Sequence, residues 1–161
     1  MMQRRTVMGL ALPLALGPGL LPLARAHHGW SSFDQDRPIY LQGRVHSVRW
    51  QNPHAEFVLE LPATLSLPAD LARRPLPAQS APVDGKALLA KAQLPRRKDR
   101  RWEIELAPLS RMQAWNVTPL KVGDEIAVLG FTFQDEKGEA ILRVEYLFVG
   151  DKTYGLRSSP A

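Results

Sequence analysis

The 161-residue chain has no cysteine, which removes disulfide scaffolds and cysteine-ligated zinc or iron-sulfur centres from consideration. Aromatic residues make up only 7% of it, and histidine occurs four times. Methionine is as scarce: beyond the first eight residues only Met112 remains, so a metal site would rest on nitrogen ligands. Unbroken apolar runs are also lacking. The one long apolar stretch, Val7 to Ala24, is interrupted by Pro13, Gly17, Pro18, Gly19 and Pro22, a poor match to a membrane span of about 20 residues. There is no Gly-rich phosphate loop, nucleophile elbow or serine-histidine-acid arrangement, so no catalytic residue is assigned. What is present, 45% hydrophobic and 23% charged residues, describes one ordinary soluble globular domain.

The first 26 residues read as an export signal. Arg4 and Arg5 give a basic start, an apolar stretch follows, and Ala24-Arg25-Ala26 supplies small residues before a cut. Gln3-Arg4-Arg5-Thr6-Val7-Met8 is similar to the twin-arginine signal that exports folded proteins; an ordinary secretory signal is the alternative. Either route ends outside the cytoplasm, in a bacterial periplasm or beyond it, and without a lipobox cysteine no stable membrane anchor is expected after cleavage. The leader carries three arginines and no acid, so the formal +5 of the whole chain shrinks once it is gone.

Residues 39 to 45 alternate as a half-buried strand with Leu41 and Val45 on one face. Val48 and Trp50 then fall on the opposite parity, which a bulge near His46 and Ser47 would correct, and Gly43 allows a sharp bend. Asn52-Pro53 is a turn. A second strand runs from 55 to 61, with Phe57, Leu59 and Leu61 inward and Glu56, Val58 and Glu60 outward. A third runs from 101 to 106, with Trp102, Ile104 and Leu106 inward and Arg101, Glu103 and Glu105 outward.

Between them, residues 62 to 98 contain six prolines and seven of the Lys and Arg residues; this reads as a basic, partly mobile loop insertion with a short amphipathic turn over 87 to 94. Pro108, Leu109, Met112 and Trp115 predict a short helix that ends before Pro119. Strands at 125 to 133 and 139 to 149 flank a turn at Asp135-Glu136-Lys137-Gly138, and 150 to 161 reads as a loose tail. Three strands, one short helix and two strands is the order of a five-stranded OB-fold-like barrel, with a single domain over 27 to 149; a small immunoglobulin-like sandwich is the alternative.

All four histidines lie between 27 and 54. A cut after Ala26 gives His27 a free α-amine beside its own imidazole, two nitrogens that chelate one metal, and another imidazole completes a T-shaped site of the kind copper accepts. His54, His46 and His28 are the candidates for that third nitrogen. A cut before Ala26 instead places His28 third from the amine, a second arrangement that holds copper(II). The competing reading makes His27 and His28 a solvated end and His54 a turn-capping residue.

Nucleic acid, a frequent OB-fold ligand, is not expected. The outward face of strands two and three would carry Glu56, Glu60, Glu103 and Glu105 against Arg101, which repels phosphate. The 62 to 98 insertion reads first as a tolerated linker; a hypothesis that joins its basic charge to the acidic face has it folding back over that face as a lid. A non-catalytic module that docks to a periplasmic protein partner is the alternative to metal binding.

His27-His28 after the signal, Phe33-Asp34, Gly43, Val45, Trp50-x-Asn52-Pro53-His54, Trp102 with Glu105, and Leu120 to Asp124 with Gly130 together resemble a family of small exported bacterial proteins of unknown function. The resemblance covers most of 27 to 149 and implies a periplasmic OB-like barrel. It matches His27, His28, His54 and Glu105 to motif positions and leaves His46 outside them, so His46 ranks last as a ligand. Glu105 then has a candidate role orienting a metal-bound imidazole. The long 62 to 98 segment departs from the family's usual short connection.

Overall fold

The computed structural model describes residues 29–161, so the expected export signal, His27 and His28 lie outside the described residues. Alternating apolar residues build six strands: β1 Ile39–Arg49, β2 Glu56–Glu60, β3 Arg101–Glu105, β4 Glu125–Phe131, β5 Ile141–Val149 and β6 Lys152–Gly155. Antiparallel pairing runs β3-β2-β1-β4-β5-β6, and a parallel pairing of β3 with β5 closes the first five into a barrel. This is the OB-fold-like arrangement, with helix α2 (Leu109–Ala114) between β3 and β4. A second short helix, α1 (Gly85–Lys91), lies in the β2–β3 connection, capped by the Asp84 carboxylate accepting from the Ala87 N–H at 3.0 Å. Among the described residues no helix is long and apolar enough to cross a membrane.

The barrel interior is filled by Ile39, Leu41, Val45, Phe57, Leu59, Trp102, Ile104, Val128, Leu142, Val144 and Leu147, all at most 2% exposed. β1 serves two neighbours, β4 along its first half and β2 along its second, and the change of partner demands a coil in the strand. Two features supply it. The register shifts between Val45 and Ser47, leaving His46 as the extra residue and returning Val48 to the core side. At Gly43 a Cβ would sit 2.2 Å from the Glu60 carbonyl oxygen, so only glycine lets β2 cross so closely. Met112 of α2 is buried, Leu109 and Trp115 pack beside it, and Asn116 in the left-handed region (φ 53°) ends the helix ahead of Pro119.

Two expectations are corrected. The 62 to 98 segment does not lie over the β2–β3 face. Its Leu71, Leu76, Leu88 and Leu89 cover a second apolar surface on the outside of β1, β4 and β5, made by Tyr40, Ala127, Leu129, Tyr146 and Phe148. Those outward positions are apolar, whereas the β2–β3 exterior is charged, and burial follows the apolar area. The segment returns along β1, where the Tyr40 N–H donates to the Gln93 carbonyl at 2.8 Å. The C-terminal residues are likewise not a loose tail. β6 pairs with the edge of β5 beyond the point where β3 leaves it, Leu156 is buried, and the Trp115 indole N–H donates to the Ser158 carbonyl at 2.8 Å.

Candidate functional site

The residues with chemistry gather on the outside of β2 and β3. Register places Arg49 of β1 opposite Glu56 of β2, Glu56 opposite Glu105 of β3, and Glu105 opposite Arg143 of β5. Four charges in the order plus, minus, minus, plus therefore cross four strands in one row. Arg49 forms an ion pair with Glu56, and the Arg143 guanidinium lies 3.4 Å from a Glu105 oxygen.

The expectation of a solvated acidic face is corrected here, because Glu56 and Glu105 are each 6% exposed and Arg143 is 7% exposed. Two carboxylates directly opposite each other repel, and burying both is tolerated because a guanidinium flanks each one. Burial pushes the Arg143 guanidinium down from its ordinary value, and the adjacent Glu105 carboxylate opposes that shift.

The row is tied to the start of the described chain. Trp30 stands beside it with the Arg143 guanidinium 5.3 Å from its ring centroid and that of Arg157 at 3.7 Å, both within cation–π range. Arg157 is held in turn by Glu145, fully buried, at 2.7 Å and by donation to Gln35 at 2.8 Å. Phe33 stacks on Phe133 at 5.1 Å between centroids, and the Asp34 N–H donates to the Thr132 carbonyl. Gly29, the residue bonded to His28, thus leads directly into a segment fixed against Arg143.

His54 follows the cis Asn52–Pro53 bond, is half-buried, and precedes β2 by two residues. It shares strand parity with Glu56, and the Ala55 N–H donates to the Ala107 carbonyl at 3.2 Å, which continues the β2–β3 pairing to this level. His54, Glu56 and Glu105 therefore occupy one corner of the barrel exterior. His46 does not join them. Its Nδ1 lies 3.6 Å from Glu60, four residues along β2 from Glu56 and hence about 13 Å away. His27 and His28, the other proposed ligands, lie outside the described residues. Among the described residues no group of three or more His, Asp or Glu side chains forms a metal site.

Sequence reasoning named His54 and Glu105 as candidates and did not anticipate their surroundings: Glu56 as a buried partner, Arg49, Arg143 and Trp30. One signal was available. Arg143 and Glu145 interrupt an otherwise apolar β5, and a charge in a strand buried on both faces requires a partner.

A family model described as a family of unknown function (DUF6152) matches residues 20–65, which contain all four histidines together with β1 and β2. The match stops before β3, so Glu105 and Arg143 lie beyond it. No curated protein and no solved structure matches the chain.

Proposed function

We propose that this is an exported periplasmic protein that binds one copper(II) ion through the α-amine and imidazole of a processed His27 and the imidazole of His54. His28 is auxiliary, and Glu105 orients an imidazole. The observation that carries the reading is the placement of the arm: Trp30 is held against Arg143, Arg143 contacts Glu105, and Glu105 faces Glu56, two residues from His54. Two strand spacings of about 4.8 Å and two residues of about 3.3 Å separate Arg143 from His54, about 12 Å in all, a span that two residues of about 3.5 Å each cross only together with the imidazole side chains. An amine and two imidazoles suit copper(II), and a nearby carboxylate both orients a ring and offsets metal charge. A twin-arginine route, if used, would deliver the barrel already folded.

Copper titration followed by electron paramagnetic resonance tests the proposal. The protein beginning at His27 is expected to take up one equivalent with nitrogen hyperfine structure, while His54→Ala and a form with one extra N-terminal alanine each change the spectrum. Identical spectra from all three forms refute the site. Docking to a protein partner through the acidic face has less support, because Glu56 and Glu105 are buried and matched by arginines.

A further inference from the structure

Both ends of the described chain meet at one side chain, Arg157. Leu156 is buried and its N–H donates to the Glu145 carbonyl at 2.8 Å, which extends the β5–β6 pairing by one step and brings Arg157 beside Glu145. Glu145 is fully buried in an otherwise apolar stretch of β5, so its carboxylate requires partners within the protein. It accepts from the Arg157 Nε at 2.7 Å and from the Gln79 Nε2 of the insertion at 3.2 Å. Gln79 also holds the backbone of the C-terminal segment: its Oε1 accepts from the Ser158 N–H at 3.2 Å, and a Cβ at Gly155 would sit 2.5 Å from its amide carbon. The guanidinium is therefore anchored on the barrel side by groups that belong to β5 and the insertion.

The rest of that guanidinium faces the N-terminal arm. It lies over the Trp30 ring, 3.7 Å from the centroid, and its Nη1 donates to the Gln35 Oε1 at 2.8 Å. Gln35 in turn donates to the Trp30 carbonyl at 3.2 Å, so the ring contact and the polar contact close on the same short stretch of chain. The Arg143 guanidinium is farther from that ring, at 5.3 Å, and is directed to Glu105. Only arginine combines these contacts: its planar fork offers donors in two directions and a flat face for stacking, whereas a lysine ammonium is a point charge without such a face.

We infer that Arg157 is the positioning residue of the N-terminal arm: the C-terminal segment, anchored on Glu145, sets the point from which the chain preceding Gly29 starts. The consequence for copper rests on the reading proposed above. A seated arm holds the terminal nitrogens near His54 before the metal arrives, and an ordering cost already met in the free protein appears as affinity. The C-terminal residues thereby act on the site through Trp30.

Amide 15N relaxation without metal and copper(II) competition titrations, both on the protein beginning at His27, provide the test in wild type, Arg157→Lys and Gln35→Ala. Arg157→Lys keeps a positive charge for Glu145, and Gln35 is exposed, so both variants retain the barrel. The Trp30 order parameter is expected near about 0.85 in wild type and should fall toward about 0.6 in Arg157→Lys, with Gln35→Ala between them. Copper affinity should fall about tenfold in Arg157→Lys. A Trp30 equally ordered in all three proteins overturns the inference whatever the metal does, as does unchanged copper affinity in a variant whose arm is released. A wild type that binds copper no more tightly than His54→Ala refutes the metal reading instead, and the Trp30 order parameters alone then decide this one.

Discussion

Replacing Glu136 by glutamine should loosen the insertion and lower stability by about 2–3 kcal/mol. Glu136 is buried, 8% exposed, and its carboxylate accepts from the backbone N–H groups of Arg96 and Arg97 at 2.9–3.0 Å while pairing with Arg37. It is thus the clamp joining the end of the 62 to 98 segment to the β4–β5 turn. Glu136 itself lies in the left-handed region (φ 56°), a strained conformation that persists because the carboxylate contacts hold it. A glutamine keeps the shape and one acceptor oxygen but turns charge-assisted bonds into neutral ones. About 1 kcal/mol is lost for each of the three partners, somewhat less for the partly exposed Arg37.

The pH dependence distinguishes this loss from general damage. Burial alone would raise the Glu136 pKa, but the Arg96 and Arg97 N–H groups and Arg37 outweigh it and hold the carboxyl below the usual range. A lowered native pKa contributes stability that is complete above the unfolded value, about 4.3, and is lost as pH falls through the native one. Wild type should therefore lead Glu136→Gln fully at neutral pH, and the two should converge in acid. Thermal unfolding monitored by circular dichroism from pH 7 to pH 2 measures the gap, about 6–10 °C at neutrality for a domain of this size. A gap that stays constant with pH, or no gap at all, would refute the clamp.

Three further outcomes follow from the same contacts. Gly43→Ala drives a Cβ into the Glu60 backbone, whereas at Gly123 (φ 96°) nothing lies within 4 Å of the added atom; chemical denaturation should show a loss of about 3 kcal/mol or more at Gly43 and about 1 kcal/mol at Gly123. Arg143→Met leaves Glu105 buried without its guanidinium and should cost about 3–5 kcal/mol, with Glu105→Gln in the same chain recovering part of it in a double-mutant cycle. Ending the chain at Gly150 removes β6 and the Trp115–Ser158 bond, so amide exchange should speed up along Tyr146 to Val149, and unchanged protection there would contradict the structural role of the C-terminal residues.

The barrel was legible because its signal is local. Alternation in Phe57-Val58-Leu59 and Trp102-Glu103-Ile104 fixes which side faces inward, and the parity slip between Val45 and Val48 marks the bulge that the register shift contains. What escaped was non-local. Glu56 and Glu105 occupy outward positions that look solvated in sequence; their burial depends on Arg49 and Arg143 from other strands. The seat of the insertion was readable only from the opposite side. Leu129 and Tyr146 make β4 and β5 apolar at both parities, a sign that a second layer covers them, but the leucines that do so are scattered among prolines without a period. His54 and Glu105 were singled out from the resemblance and their types, while Trp30, which stacks with Arg143 next to Glu105, carries no sequence mark beyond being aromatic.

We propose that export creates a copper chelator at His27 beside His54, and native mass spectrometry of the exported protein with one equivalent of copper(II) tests this most directly. The expected result is a chain whose first residue is His27 carrying a single copper ion, with the ion lost in His54→Ala. A chain that begins elsewhere, or one that begins at His27 and retains no copper, would contradict it.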